Sequence, residues 1–411
     1  MGEYDLRFEK EYGKWPPAVA DVVGKYLDCG MLKNGFARIR CAHCKNEYLL
    51  AFSCKGRGFC PSCSAKRSVL FGEFLREKVL ADCPHRHVVF SIPKMFRIFF
   101  LYDRKLLTEL CRCAWKAIGE YFEVSIPDGS MPAAVLSIAT AGDMLNWNPH
   151  IHGLVACGCF QPDGSFESAP VLQENVLREL FEANVCRLLV GKGLIGPELI
   201  RKIRSWRHSG FHVYGGPSIH DKDDAVRVGL YILRGPASAT RLQLTEDGLL
   251  KYLAKGFLPD AQSDPLFEPN GRIFDPLEWI ARLTSHIPQK GAQTAHYYGA
   301  YSNLYRGKAA KRSRAVNQTP APRLASDPQE SQTEWAKSRR KSWAALIRHV
   351  FEADPLLCPR CGQQMQILSF IKEGKVIDRI LDHIGYRFEV LPLPCRPPPD
   401  TSSEWNLFSE D

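Results

Sequence analysis

The chain has 411 residues, 45% of them hydrophobic and 11% aromatic, which is enough to bury cores in two or three domains and excludes a disordered polymer. Its 54 Lys and Arg against 45 Asp and Glu give a formal charge of +9, an excess that permits a polyanionic partner without requiring one. No apolar run approaches the roughly eighteen residues that cross a bilayer. The start, Met1-Gly2-Glu3-Tyr4-Asp5, is not a secretory signal, so a cytoplasmic protein is expected.

Residues 6 to 28 read as a helical lead-in, with Val19, Val22, Val23 and Leu27 at helical spacing. Fifteen cysteines in a reducing compartment point to metal ligands and buried thiols rather than disulfides. Cys41-Ala42-His43-Cys44 and Cys60-Pro61-Ser62-Cys63 are two Cys-x-x-Cys turns with 15 residues between them, a spacing close to a zinc ribbon. Each turn brings two thiolates to one ion, and the two together predict a tetrahedral Zn²⁺ site. Cys54 and Cys29 are further candidate ligands. The surrounding Arg38, Arg40, Lys45, Lys55, Arg57, Lys66 and Arg67 read as phosphate contacts or as a solvated basic face.

Next, His85-Arg86-His87-Val88-Val89-Phe90-Ser91-Ile92-Pro93 predicts a strand stopped by proline, carrying one His-x-His. Residues 103 to 123 predict an amphipathic helix, and residues 133 to 139 an apolar strand. Asn148-Pro149-His150-Ile151-His152-Gly153-Leu154-Val155 opens a third strand, over residues 150 to 160. Side chains i and i+2 of a strand share a face, so His150 and His152 project together while Ile151 points into the core. Two such imidazoles either hold one metal ion or are a satisfied pair on a half-buried strand. A helix over 171 to 192 follows. Strand, helix, strand, strand, helix predicts an α+β fold, an antiparallel sheet backed by helices.

Residues 206 to 214 read as another strand, and Ala225 to Ile232 as a helix that carries Tyr231, followed by Leu233-Arg234-Gly235-Pro236. A tyrosine beside a basic residue at a helix end can attack a phosphodiester, or can simply be core or rim. A short helix covers 277 to 287. His296-Tyr297-Tyr298-Gly299-Ala300-Tyr301-Ser302-Asn303 and the basic tail behind it fit stacked bases and phosphates, or a buried aromatic cluster. Residues 315 to 332 read as a linker, and about 334 to 351 as a basic helix. Cys358-Pro359-Arg360-Cys361-Gly362 is a third Cys-x-x-Cys turn, for which only His383 and Cys395 follow as partners, and the proline-rich stretch 391 to 399 reads as irregular.

These stretches together resemble the rolling-circle transposases of the insertion-sequence-91 and common-region type, within the HUH endonuclease group. Residues 52 to 63 are similar to that family's N-terminal zinc-binding module, and Asn148 to Val155 look like its His-hydrophobic-His motif. His85 to Pro93, Tyr102 to Leu107, His208 to Phe211, Tyr231 to Pro236 and Tyr298 to Asn303 also match, so the likeness spans nearly the whole chain. It implies an HUH-nuclease-like fold in four parts: a zinc-binding, DNA-contacting module (1–75), a tyrosine transposase domain (76–312), a linker with a basic helix (313–345) and a C-terminal region (346–411). It implies that His150 and His152 bind Mg²⁺ or Mn²⁺ and that Tyr231 is the nucleophile, forming a 5′-phosphotyrosine on single-stranded transposon-end DNA. Arg57, Lys66, Arg67 and Arg234 would contact DNA.

The chain departs from the two-tyrosine members. Four residues before Tyr231 stands Arg227, which places it with the single-tyrosine branch. A third metal ligand found in some relatives falls on Ala139 here, with Asp143 a nearby substitute. No Gly-x-x-x-x-Gly-Lys-Ser/Thr loop is present, so any helicase help is expected from another protein, a host helicase, and the expected location is the cytoplasm, with the nucleoid. The competing readings are a non-catalytic zinc-containing nucleic-acid-binding protein and a metallohydrolase whose nucleophile is water. The sequence leaves the DNA site and the oligomeric state open.

Overall fold

The computed structural model describes residues 2–15, 18–56, 58–126, 129–169, 172–254, 271–316 and 356–386. The chain forms two compact units, one of Met1–Ala18 with Phe71–Thr319, the other of Val19–Leu70 with Pro320–Asp411. Helix α1 (Ala18–Leu27) leads into strands β1 (Phe36–Cys41) and β2 (Glu47–Ala51) and helix α2 (Pro61–Phe74). Then come β3 (His85–Ser91), α3 (Leu106–Ser125), β4 (Met131–Ala141), β5 (Trp147–Phe160), β6 (Phe166–Ser168), α4 (Glu174–Gly191), β7 (His212–Ile219) and α5 (Lys222–Ile232). Strands β8 (Leu242–Leu244), β9 (Leu250–Leu253) and β10 (Gly271–Phe274) precede α6 (Pro276–Ser285), β11 (Ala295–Gly299) and α7 (Asn303–Val316). Strand β12 (Met365–Ile371) and helix α8 (Gly374–His383) complete the described chain.

The larger unit is the expected α+β fold. Its antiparallel sheet runs β11-β4-β5-β3-β7, with β6 paired to β5. One face, with Val88, Phe90, Leu136, Ile151 and Val155, packs under Leu110, Ala114 and Ile118 of α3 and Phe181 and Val185 of α4. Side chains of this size contribute about 1.5–3 kcal/mol each when fully buried. The opposite face, with Val135, Leu154 and Ala156, meets Leu75, Val79 and the Ala225, Val228 and Ile232 side of α5. Period-2 alternation on β5 thus sends Ile151 to one core and its neighbouring histidines to the face covered by α5. Helix α5 starts cleanly because Asp221 accepts from the Asp223 and Asp224 amides, at 2.7 and 3.1 Å. It lies close to the residues before β3: a Cβ on Gly229 would stand 2.4 Å from Leu75 Cδ1.

Several expectations shift. The lead-in is not one helix: it divides into Gly2–Arg7, Glu9–Tyr12 and α1, with Gly13 at φ +79° between the second and third. The strand expected over 206–214 begins only at His212, after the left-handed Gly210. The aromatic run at 296–303 forms β11 and its turn. Tyr301 is buried, with its hydroxyl 2.6 Å from His85 Nε2, and Tyr298 stacks on Trp115. Tyr301 thus joins a core, while Tyr297 and Tyr298 stay half-buried on β11. The turn needs Gly299, at φ +58°, because a Cβ would sit 1.8 Å from the Pro132 carbonyl oxygen. The basic tail after it is helix α7. Most of the expected linker and all of the basic helix at 334–351 lie outside the described residues, as do Cys395 and the stretch 391–399.

In the smaller unit the sheet runs β12-β1-β2, so the C-terminal stretch joins the N-terminal cysteine module instead of standing apart. Phe36 and Ile371 pack there against Ile377 and Leu381 of α8. Among the described residues, no helix is long and apolar enough to cross a membrane.

One buried histidine gives the larger unit a pH limit. His286 follows α6, donates from Nε2 to the Leu145 carbonyl (3.1 Å), and lies 3.0 Å from Thr140 Oγ1 at Nδ1. Burial pushes its pKa down to about 4. The folded form stays neutral where the unfolded chain takes up a proton, so this contribution is complete above pH 6.5 and lost as pH falls towards 4. Chemical denaturation at pH 7 and pH 4.5 should show His286→Gln losing less stability than wild type, by on the order of 2–3 kcal/mol, with His85 and His87, also pushed down to about 4, sustaining the rest of the slope.

Candidate active site

Strand β5 lies between β3 and β4. Val89 and Ser137 stand opposite His152, and Ser91 and Ala139 stand opposite His150. His150 and His152 are half-buried on one face, as the alternation predicts. His150 Nδ1 lies 2.6 Å from the Asn148 carbonyl oxygen, which can only accept, so Nδ1 carries the proton and Nε2 the lone pair. His150 Nε2 lies 3.0 Å from His152 Nε2, and His152 Nδ1 lies 3.1 Å from His87 Nε2.

This chain of rings can run in two directions. With protons pointing towards His150, all three rings are neutral and satisfied. With His152 Nδ1–H donating to His87, both Nε2 atoms carry a lone pair, 3.0 Å apart. Two nitrogens about 2.1 Å from one octahedral ion and at right angles to each other are about 3.0 Å apart, so the pair fits a hard divalent cation. Burial pushes the His87 pKa down to about 4, which keeps it a neutral acceptor.

The third-ligand candidates read from sequence do not reach the pair as ligands. Ala139 offers only a methyl group, and the Asp143 carboxylate is held by Arg241 at 2.5 Å. What reaches the pair is His87, on β3, a diagonal neighbour of His152 because it stands opposite Leu154. Its signal was the second His-x-His. The pairing register that selects His87 over His85 is a tertiary fact.

Tyr231 sits in the last turn of α5, half-buried, over the same face of the sheet. Its ring stands edge-on to His152 (centroids 5.8 Å apart) and to His87 (6.1 Å). The exposed Arg234 places its guanidinium carbon 4.0 Å from the Tyr231 ring centroid. Arg227, four residues earlier, pairs with Asp224 at 2.7 Å. The histidine pair, Tyr231 and Arg234 therefore converge. Lys66 and Arg67 lie half-buried on α2 in the smaller unit, and Arg57 lies outside the described residues.

The cysteines correct the expected ligand set. Cys41 and Cys44 do not share a cluster with Cys60 and Cys63. Cys60 and Cys63, at the start of α2, group with Cys29 and Cys54, whereas Cys41 and Cys44 group with Cys358 and Cys361. The reason is that Cys41 ends β1, the strand that pairs with β12, while α2 starts beside the loop that carries Cys54. In the first group Cys54 and Cys63 sulfurs lie 3.5 Å apart and Cys29 and Cys60 sulfurs 4.0 Å. A tetrahedral Zn²⁺ with bonds of about 2.3 Å spaces its sulfurs about 3.8 Å apart, so the set fits that ion.

The sequence relationships say what class of protein carries this cysteine module and histidine-bearing sheet: a transposase. Residues 2–92 match the model of a family described as a transposase zinc-binding domain, and residues 134–309 match one described as a putative transposase. The chain belongs to the IS91 family of transposases. It is 24% identical over 366 residues, 84% of this chain and 82% of the relative, to the transposase for insertion sequence element IS801 of Pseudomonas savastanoi pv. phaseolicola. It is 23% identical over 360 residues, 81% of this chain and 84% of the relative, to the putative transposase y4qJ of Sinorhizobium fredii (strain NBRC 101917 / NGR234). No solved structure matches the chain.

Proposed function

We propose that this transposase nicks and rejoins single-stranded transposon-end DNA, in rolling-circle-type transposition, through a covalent 5′-phosphotyrosine on Tyr231. The observation that carries this reading is the approach of the Tyr231 ring to His152, 5.8 Å between centroids, about eighty residues away in the chain. Mg²⁺ or Mn²⁺ between His150 and His152 would supply positive charge against the phosphate oxygens as negative charge grows there.

The protein's own groups do the rest. Tyr231 Oη bonds to phosphorus and gives up its proton. The bond from phosphorus to the 3′ oxygen breaks, and that oxygen leaves as a hydroxyl after taking a proton. For rejoining, a 3′-hydroxyl attacks the phosphotyrosine, and the phenol regains its proton. Arg234, beside the Tyr231 ring, offers a fork of donors to the scissile or the adjoining phosphate. Lys66 and Arg67 serve as phosphate contacts of the cysteine module. His87 is a positioning residue, since its contact with His152 Nδ1 leaves the lone pair on His152 Nε2.

The test is incubation of the full chain with single-stranded oligonucleotides carrying the element's ends, with and without Mn²⁺. A protein–DNA adduct that survives denaturation, depends on the metal and maps to Tyr231 by peptide mass spectrometry is expected. Cleavage without an adduct would instead indicate a water nucleophile and sink the proposal. His87→Gln should raise the Mn²⁺ concentration needed for half-maximal adduct formation by about 10–100-fold, with the maximum largely recovered at high Mn²⁺. A merely structural His87 would lower the maximum and leave that concentration unchanged.

A further inference from the structure

The Cys-x-x-Cys turn near the C-terminus has its partners at the other end of the chain. Cys44 and Cys358 sulfurs lie 3.5 Å apart, and Cys41 and Cys361 sulfurs 3.6 Å, across sequence separations of 314 and 320 residues. All four sulfurs lie within 4.8 Å of one another. These spacings are far longer than a disulfide bond of about 2.05 Å and close to the edge of a Zn–S₄ tetrahedron, about 3.8 Å.

The backbone is built to match. Each pair sits in a tight turn whose following residue is left-handed, Lys45 at φ +61° and Gly362 at φ +69°. The Cys41 amide donates to the Asn46 carbonyl at 2.8 Å, and the Cys358 amide to the Gln363 carbonyl at 2.9 Å. Two turns of the same shape thus face each other. Beyond them, β1 and β12 pair antiparallel from Phe36 opposite Ile371 to Cys41 opposite Met365, with a register shift between Arg38 and Ile39. The four thiols close one end of a small core containing Ala37, Ile39 and Met365.

We propose that Cys41, Cys44, Cys358 and Cys361 form a second, structural zinc site, which ties the C-terminal segment into the N-terminal cysteine module. The zinc-binding match ends at residue 92, so half of this site lies outside it. Bringing residues more than 300 positions apart together costs chain entropy, and β1–β12 pairing alone is a short reward for it. Four thiolate bonds to one ion supply the missing free energy. A tetrathiolate set selects Zn²⁺ over the hard cation that suits the histidine pair.

Two measurements on the full chain test this. The first is metal analysis: two zinc ions per chain are expected, falling to one in Cys358→Ser/Cys361→Ser and to one in Cys29→Ser/Cys54→Ser. In the first variant, pulsed alkylation read by mass spectrometry should label Cys41 and Cys44 rapidly while Cys29, Cys54, Cys60 and Cys63 stay protected. The second uses wild-type protein and so does not depend on a variant folding. As a zinc chelator is titrated in, Cys41, Cys44, Cys358 and Cys361 should gain label in a single step. One zinc in the wild-type chain, iron in place of zinc, two zinc ions retained without Cys358 and Cys361, or labelling of Cys358 and Cys361 in a different step from Cys41 and Cys44 would each overturn the assignment.

Discussion

Tyr231→Phe should abolish the covalent DNA adduct and lower strand cleavage by at least about a thousandfold, while DNA binding and the melting transition change little. A thousandfold corresponds to about 4 kcal/mol of lost transition-state stabilisation. The substitution removes one oxygen and leaves the ring, so the edge contacts to His152 and His87 and the Arg234 guanidinium over the ring face all have a surface to keep. Separating binding from chemistry is the point of the choice. A variant that binds the oligonucleotide as tightly as wild type, yet forms no adduct, assigns the phenol to the bond-making step. Tyr214→Phe is the control: Tyr214 also stands edge-on to His87, at 6.3 Å, but on β7 rather than at the end of α5. It should cleave within a few-fold of wild type. If Tyr231→Phe still forms the adduct, the attacking oxygen belongs to another residue and the proposed reaction fails.

Much of this site could be read from the sequence because its parts are local. Alternation along 148–155 placed His150 and His152 on one face and Ile151 in the core, since a strand's side-chain period is fixed by its backbone. Tyr231 was marked by a helix end and a basic neighbour. What the sequence could not supply was register. His85 and His87 share a face, and only the offset between β3 and β5 sends His87 to His152 and His85 to Tyr301. The cysteines show the same limit more sharply. Cys-x-x-Cys is a local turn and its metal-binding character is plain, but which turns share an ion is decided by strand pairing. The nearest pairs in sequence were not the true partners, because Cys41 ends a strand whose neighbour comes more than 300 residues later. Likewise the aromatic run at 296–303 reads equally as a partner for bases or as a core, and packing settles it for Tyr301 alone, closed over His85, while Tyr297 and Tyr298 stay half-buried.

Stripping zinc should unfold the smaller unit and spare the sheet that carries the histidines. The two units differ in what holds them. The larger buries two extended clusters on opposite faces of one sheet, with Phe90, Phe96, Phe100 and Phe181 fully enclosed. The smaller has a short three-stranded sheet with, among the described residues, few fully buried aliphatic side chains around it. Its cysteines occupy positions that would otherwise be core. In the Cys29, Cys54, Cys60 and Cys63 group, the Cys54 amide donates to Cys29 Sγ and the Gly56 amide to Cys54 Sγ, both at 3.3 Å. Those amides would meet the negative charge the sulfurs carry as thiolates, and four thiolates together repel unless a cation lies among them. Structural zinc in modules of this kind contributes on the order of 10 kcal/mol, more than a small core supplies. Hydrogen exchange after chelation should therefore show amides of β1 and β2 exchanging at unfolded rates, with β3, β4 and β5 still protected. Cys60→Ser opens only the set at the start of α2, so it should release amides around Cys29 and Cys54 while β1 and β2, tied by the second set, keep their protection. Retained protection of β1 and β2 in a zinc-free chain would mean that packing alone holds the module and that the thiols are buried side chains with no metal to bind.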